Sequence, residues 1–198
     1  MLLKYGLLAV AYLLGSIPFS IILGRKFKGI DVREHGSGNP GGTNSLRFLG
    51  KHIGIWVLIL DGLKAGLIVL LIQFDIIDPT LVLHPLAYGL AAAIGHVYSI
   101  FIKFKGGKAV AATVGMMIAY NIVYALIMFI VFMGLLKLFK YVSVSSTASV
   151  FTAMVIGLIV QDWSMAIYMA LLFLLVLYRH KTNFKNIRNK VEPKVKWI

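Results

Sequence analysis

From Ala109 to Leu136 the chain runs 28 residues without a charge. As one helix this stretch would be about 42 Å long at 1.5 Å per residue, too long for a hydrocarbon core of about 30 Å. Comparable apolar runs occupy residues 5–24, 53–73, 81–102, 141–160 and 163–178. Such runs hide their backbone only as membrane helices or a very large core, and 198 residues cannot build that core. The charged fraction is 14%, well below the usual quarter, and mean hydropathy is +0.88. The class expected is all-α, a polytopic transmembrane helix bundle formed by residues 1–198 as a single integral-membrane domain. The first run has one lysine before it and no small-residue cleavage site, so it reads as a retained span rather than a signal peptide.

The distribution of charge sets the expected topology. Eighteen of the 20 basic residues fall in segments 25–51, 103–108, 137–140 and 179–196, while Asp75, Asp78 and Asp162 fall in the other turns. Basic segments stay in the cytoplasm. If all four do so, residues 109–136 cross twice, turning near Tyr120-Asn121. The result is seven spans, with the N-terminus outside and the C-terminus cytoplasmic. The alternative is five spans, with 141–178 as one bent element. The net charge of +13 is then membrane-loop bias together with anionic ligands or headgroups. No basic helix interleaves with aromatics as a nucleic-acid surface does. The absence of cysteine excludes disulfides, thiolate nucleophiles and Cys-ligated metals.

Three polar stretches interrupt this apolar chain on the same predicted side. The first, His35–Arg47, contains Gly36, Gly38, Gly41 and Gly42, whose backbone N–H groups could converge on an anion. Ser37, Asn39, Thr43 and Asn44 add neutral donors, and Arg47 adds a planar cation suited to phosphate. A nucleotide P-loop is excluded because Gly42-Thr43 stands where Lys-Ser/Thr is required. The plainer reading is a flexible glycine-rich loop. The second stretch, Phe104-Lys-Gly-Gly-Lys-Ala-Val110, places Gly106 and Gly107 at the start of a helix with Lys108 in its first turn. A cation there opposes the helix dipole, which a bound anion would offset; the plainer reading is positive-inside flanking. His96 lies shortly before it, where a lone histidine is ordinarily a packing residue. The third stretch, Arg179–Glu192, has His180 and Asn183 three apart on one helical face, although a stop-transfer tail would need only its positive charges. Asp61 and Lys64, inside the second span, read as a self-neutralising structural ion pair.

Taken in order, Asp31-Val-Arg…Gly-Ser-Gly-Asn-Pro-Gly-Gly-Thr-Asn-x-x-Arg47, Gly50-Lys51, Leu60-Asp-x-x-Lys64, Gly95-His…Phe101-x-x-Phe-x-Gly-Gly-Lys108 and Arg179-His-x-x-Asn183…Glu192 resemble the bacterial acyl-phosphate:glycerol-3-phosphate acyltransferases. The resemblance covers essentially the whole chain. It implies a multi-span inner-membrane enzyme that moves a fatty acyl group from acyl phosphate to sn-glycerol 3-phosphate, giving lysophosphatidate and inorganic phosphate. It also implies cytoplasmic motifs, no acyl-CoA or acyl carrier protein, and neither cofactor nor metal. The expected partners are the two substrates and the bilayer, with no nucleic acid; the sequence leaves oligomeric state open, and a monomer suffices.

On this reading the catalytic residues are Ser37, Arg47, Lys108, His180 and Asn183. Substrate binding falls to Gly36, Gly38, Asn39, Gly41, Thr43, Asn44, His96, Gly106, Gly107, Arg188 and Glu192. Two positions depart from the family pattern. Asn186 stands where the family places arginine, so Arg188 lies two residues too far along, and Lys190 stands where a glycine is usual. The histidine–aspartate motif of CoA-dependent glycerolipid acyltransferases, a G-x-S-x-G elbow and a zincin motif are all absent. Because acyl phosphate is already activated, positioning and charge neutralisation would supply most of the acceleration. The departing phosphate would take the hydroxyl proton, with His180, or else His96, as the alternative base. The competing readings are a transporter of a small phosphorylated anion, which would call for an inverted repeat that is not found, and a lipid-binding scaffold, which has no need of two glycine-rich loops.

Overall fold

The structure is a computed structural model and describes residues 2–195. Every regular element among the described residues is helical. The chain gathers into two compact units, Met1–Tyr120 and Asn121–Ile198. The first contains α1 (Leu2–Ser16), α2 (Phe19–Lys28), α3 (Gly42–Phe48), α4 (Lys51–Gln73), α5 (Pro85–Val97) and α6 (Val110–Tyr120). The second contains α7 (Ile122–Phe139), α8 (Val142–Ile159), α9 (Trp163–Arg179) and α10 (Lys181–Arg188).

Among the described residues, five stretches are long and apolar enough to cross a bilayer: Leu2–Lys28, α4, Pro85–Ile102, α7 and α8. A sixth is reached if α9 and α10, bent by 53° at their junction, count as one span. The α6 helix is apolar but has only 11 residues, about 17 Å of rise. The long uncharged run is two helices, divided where its one strong N-capping residue stands. Asn121 leaves helical geometry, and its Oδ1 accepts hydrogen bonds from the Val123 and Tyr124 amides.

The first span departs from a continuous helix over 5–24. It stops at Ser16 and resumes at Phe19, because Pro18 has no N–H and its ring clashes with the carbonyl one turn earlier. The carbonyls opened by the break are used by other helices of the unit. The Lys64 ammonium on α4 donates to Ile17 O at 2.8 Å and the Ser99 hydroxyl donates to Ser16 O; separately, the Tyr12 hydroxyl on α1 donates to Tyr98 O at the end of α5 at 2.8 Å. A broken membrane helix is tolerated when neighbours take up its freed backbone in this way.

The first unit is packed backbone against backbone. A Cβ on Gly115 of α6 would overlap the Gly62 backbone of α4, and one on Gly66 would meet the Gly115 carbonyl. Gly62-Leu-Lys-Ala-Gly66 is a small-xxx-small face, the device by which membrane helices approach closely. The α1–α5 crossing works similarly, with Gly15 against the Ala92 backbone and Gly95 against the Tyr12 carbonyl. Gly115→Val should therefore force α4 and α6 apart at a cost of about 1–3 kcal/mol. The measurement is a lowered Tm in detergent, and an unchanged Tm would mean that the crossing is loose. In the second unit, α8 buries Ser143, Ser145, Ser146, Thr147 and Ser149. Several of these hydroxyls bond back to their own helix, as with Ser145 to Tyr141 O and Ser149 to Ser146 O.

Candidate functional site

The His35–Arg47 loop is anchored at its base by charge and by packing. Asp31, 6% exposed, receives Arg33 Nε at 3.0 Å and the Arg33 backbone N–H at 3.0 Å. Its other oxygen is reached by the Arg33 guanidinium at 2.6 Å and by Arg25 at 3.0 Å. These contacts, that of the Arg33 guanidinium foremost, hold the Asp31 carboxyl well below the usual carboxylate range. The adjoining Val32 packs into a small core with Ile21 and Leu49. Gly36 and Gly38 take left-handed backbone, φ 58° and 68°, and so let the chain reverse where a Cβ would be strained.

Asn44 is the loop's internal clamp. It is 3% exposed. Its amide nitrogen donates to Val32 O at 2.9 Å and to His35 O at 3.0 Å, while its Oδ1 accepts from the Ser37 amide at 3.3 Å. Both amide donors are thus committed to the chain itself, so Asn44 holds the loop where direct substrate contact was expected. His35 stacks on Phe48, with ring centroids 5.7 Å apart. The expected cradle of glycine amides is narrower than the sequence implied. Gly38 N–H donates to His35 O and Gly41 N–H donates to Asn39 O, because the turns that shape the loop consume them. Ser37, Thr43 and Arg47 are exposed on its outer side, Thr43 and Arg47 sharing one face of α3 at i,i+4. Asn39 is half-buried beside Gly41.

Gly106 and Gly107 also serve another purpose than expected. Their amides donate to Val97 O at 2.9 Å and to His96 O at 3.0 Å. A Cβ at 106 would overlap the His96 carbonyl, and one at 107 would overlap the His96 ring at Nε2. They are glycine so that this strand can lie on the end of α5. The left-handed turns fall instead on Lys103, Phe104 and Ala109, at φ 55°, 60° and 62°, unusual for non-glycine residues and characteristic of a constrained site. Lys108 is half-buried and precedes the first residue of α6, Val110, by two positions. It therefore sits in the approach to the helix rather than in its first turn.

Behind this segment lies a cluster that joins His96, expected to bind substrate, to the Asp61–Lys64 pair that the sequence marked only as structural. Asp61 Oδ1 is 2.7 Å from Lys64 Nζ and 3.5 Å from His96 Nδ1, with the three side chains 2–6% exposed. A cavity of about 10 Å³, room for about one water, is lined by these three residues with Pro40 of the first loop and Gly106 and Gly107 of the second. The two glycine-rich motifs therefore meet around a buried acid, base and histidine. The signal that could have flagged the cluster was present, namely an intramembrane i,i+3 acid–base pair together with an intramembrane histidine.

In the second unit, His180 is 4% exposed at the α9–α10 bend, and its Nδ1 lies 2.9 Å from Val176 O. A ring nitrogen facing a carbonyl carries a proton, so Nδ1 is the donor in this contact. Asn183 donates to Glu192 Oε1 at 2.6 Å, and Asn186 donates to Glu192 Oε2 at 3.3 Å. Asn183 and Glu192 are thus brought together. Asn186, standing where the family pattern has arginine, is the second residue on that carboxylate. Arg188 is exposed at the last turn of α10.

These elements define a helical integral membrane protein whose polar chemistry is gathered into cation-bearing loops and a short tail helix at the ends of its spans. The family model for glycerol-3-phosphate acyltransferase matches residues 5–190, and the chain belongs to that family. It is 46% identical to a glycerol-3-phosphate acyltransferase of Bacillus cytotoxicus, covering 98% of this chain and 96% of the relative. It is 45% identical to that of Bacillus subtilis, covering 97% of each. Among solved structures it is similar to the glycerol 3-phosphate form of PlsY (YgiH), an integral membrane glycerol 3-phosphate acyltransferase. That match has a TM-score of 0.88 and 34% identity, covering 97% of this chain and 95% of the other. The lysophosphatidic acid form of the same protein matches with a TM-score of 0.86.

Proposed function

We propose that this chain transfers a fatty acyl group from acyl phosphate to sn-glycerol 3-phosphate, releasing 1-acylglycerol 3-phosphate and inorganic phosphate. The observation that carries this reading is similarity along nearly the entire chain to a membrane fold solved with glycerol 3-phosphate and with lysophosphatidic acid. In the reaction the glycerol hydroxyl oxygen bonds to the acyl carbonyl carbon, the carbonyl–phosphate C–O bond breaks, and the hydroxyl proton passes to the departing phosphate. Ser37 and Arg47, on the exposed side of the loop clamped by Asn44, hold one phosphate. Lys108 neutralises the other, and His180 and Asn183 place the hydroxyl. Charge neutralisation and alignment are the catalytic contributions such a set can make.

The whole chain acts as one catalytic domain in the bacterial cytoplasmic membrane. It crosses seven times, α6 and α9 included, with the N-terminus outside and the motifs in the cytoplasm. A short span such as α6 requires local thinning or help from its neighbours. Because the protein contains no cysteine, cysteines introduced singly at Ser37, Asp75 and Asp162 give an unambiguous topology test. Labelling of Ser37→Cys from the same side as Asp75→Cys would overturn the assignment.

Purified protein given palmitoyl phosphate and glycerol 3-phosphate should yield lysophosphatidate, and palmitoyl-CoA should not substitute. Inactivity with palmitoyl phosphate would refute the proposal. Arg47→Ala and Lys108→Ala should each raise the KM of one substrate at least tenfold more than that of the other, since lost charge-assisted contacts act on the phosphate they touch. Equal effects on both KM values would mean that the two phosphates share one cationic site.

A further inference from the structure

A second cavity, about 460 Å³, is lined by none of the residues assigned above to catalysis. Its walls divide by polarity. Ile21, Ile22 and Phe101 form an apolar side, and Arg25, Arg33 and Lys103 form a cationic side. On both contributing segments the apolar residues come first and the cation follows as the chain leaves the span, Ile21 and Ile22 before Arg25, and Phe101 before Lys103. The cavity is therefore amphipathic, with its cations following its apolar residues as each segment leaves its span. Asp31 pairs with Arg25 and Arg33 and Glu34 also acts on Arg33, so three cations meet two carboxylates and one positive charge is left over. Arg25 keeps 65% of its side chain exposed despite its pair, and Lys103 and Phe101 are exposed as well.

We infer that this cavity is the loading site for the acyl donor, a single-chain lipid with a phosphate head, which waits there before moving to the Ser37–Arg47 loop. The inference rests on the proposed reaction and adds a second position for its membrane-borne substrate. Two observations favour this occupant. Arginine and lysine at the rim suit a phosphate head, with its chain lying on the apolar wall, and the volume lies within the range of small-molecule pockets. Pro18 and Ile102 line both this cavity and the small one that Pro40, Gly106 and Gly107 enclose. A head group held at Arg25 is thus one wall away from the loops. Lys103, held in left-handed backbone at φ 55°, turns the chain between the two.

The test uses the full chain in phosphatidylcholine nanodiscs with the double variant Arg25→Gln/Lys103→Gln, leaving Arg33 to hold Asp31. Two readouts are taken: KM for palmitoyl phosphate and for glycerol 3-phosphate, and binding of 1-palmitoyl lysophosphatidate by native mass spectrometry. The expected result is a rise of about tenfold in palmitoyl phosphate KM and in lysophosphatidate Kd, with glycerol 3-phosphate KM within twofold. The charge-keeping variant Arg25→Lys/Lys103→Arg should restore most of the loss. Unchanged binding and KM would overturn the inference, as would a loss confined to added phosphatidylglycerol, which would make this a bilayer-lipid site. Should the double variant not fold, Lys103→Gln alone gives the same comparison. If the wild type binds lysophosphatidate without making it, the reaction proposal falls while the cavity's ligand class stands.

Discussion

Lys64→Met is expected to lower stability by about 3–5 kcal/mol, the usual consequence of stranding one member of a buried ion pair. The Lys64 side chain is 4% exposed and that of Asp61 2%, so bulk water does not reach either partner. Removing the ammonium leaves the Asp61 carboxyl without its cation, with His96 Nδ1 3.5 Å away, and Asp61 Oδ2 already has no hydrogen-bond partner. It also removes the donor to Ile17 O at the break in the first span. The double variant Asp61→Leu/Lys64→Met should recover much of the loss, since no isolated charge remains, but not all of it, because the Ile17 carbonyl loses the Lys64 donor and keeps only the Phe19 amide. Thermal unfolding in one detergent across wild type, single and double variants decides the matter. A single variant as stable as wild type would show that the pair is hydrated.

Asn44→Ala is expected to reduce kcat/KM about a hundredfold or more while lowering Tm only modestly. The substitution deletes three hydrogen bonds at once, leaving the Ser37 N–H without its Asn44 partner and Val32 O and His35 O with only the His35 and Gly38 amides. Each such bond is worth about 0.5–1.5 kcal/mol, and the three together are enough to release the loop from its present shape. Ser37 and Arg47 would then be displaced, and a shift of about 1 Å can cost about a hundredfold in rate. The loop lies at the end of the spans, so most of the helix packing survives. The two readouts are kinetics on the purified variant and a melting curve. Loss within threefold would mean that the flanking Asp31 clasp and the His35–Phe48 stack hold the loop unaided.

The contrast between these residues indicates how far the sequence could be read. Helical membrane class follows from apolar length alone, and the break at Asn121 follows from an N-capping residue in the middle of an uncharged run. The three polar stretches were legible because polar backbone beside lipid is costly and rare. Their internal division of labour was not. A glycine that cradles an anion and a glycine that makes room for a neighbouring backbone look identical in one dimension, and Gly106 and Gly107 prove to be the second kind. Asn44 and Asn39 are likewise the same residue type a few positions apart, yet only the fold turns Asn44 inward. Asp61 and Lys64 were correctly read as a neutral pair. Their proximity to His96 and to both glycine-rich motifs depends on how α4 and α5 pack, which no local pattern encodes.

Pro18 has a consequence for how the protein is made. As the chain emerges, its first apolar segment enters the bilayer with a gap in its own hydrogen bonding, and the groups that close the gap lie on Lys64 and Ser99, dozens of residues later. The opening segment is thus inserted unfinished, and its backbone is completed only when the second and third apolar segments have followed it in. Assembly of this half of the molecule is sequential by construction, with the proline acting as a socket that later helices must fill.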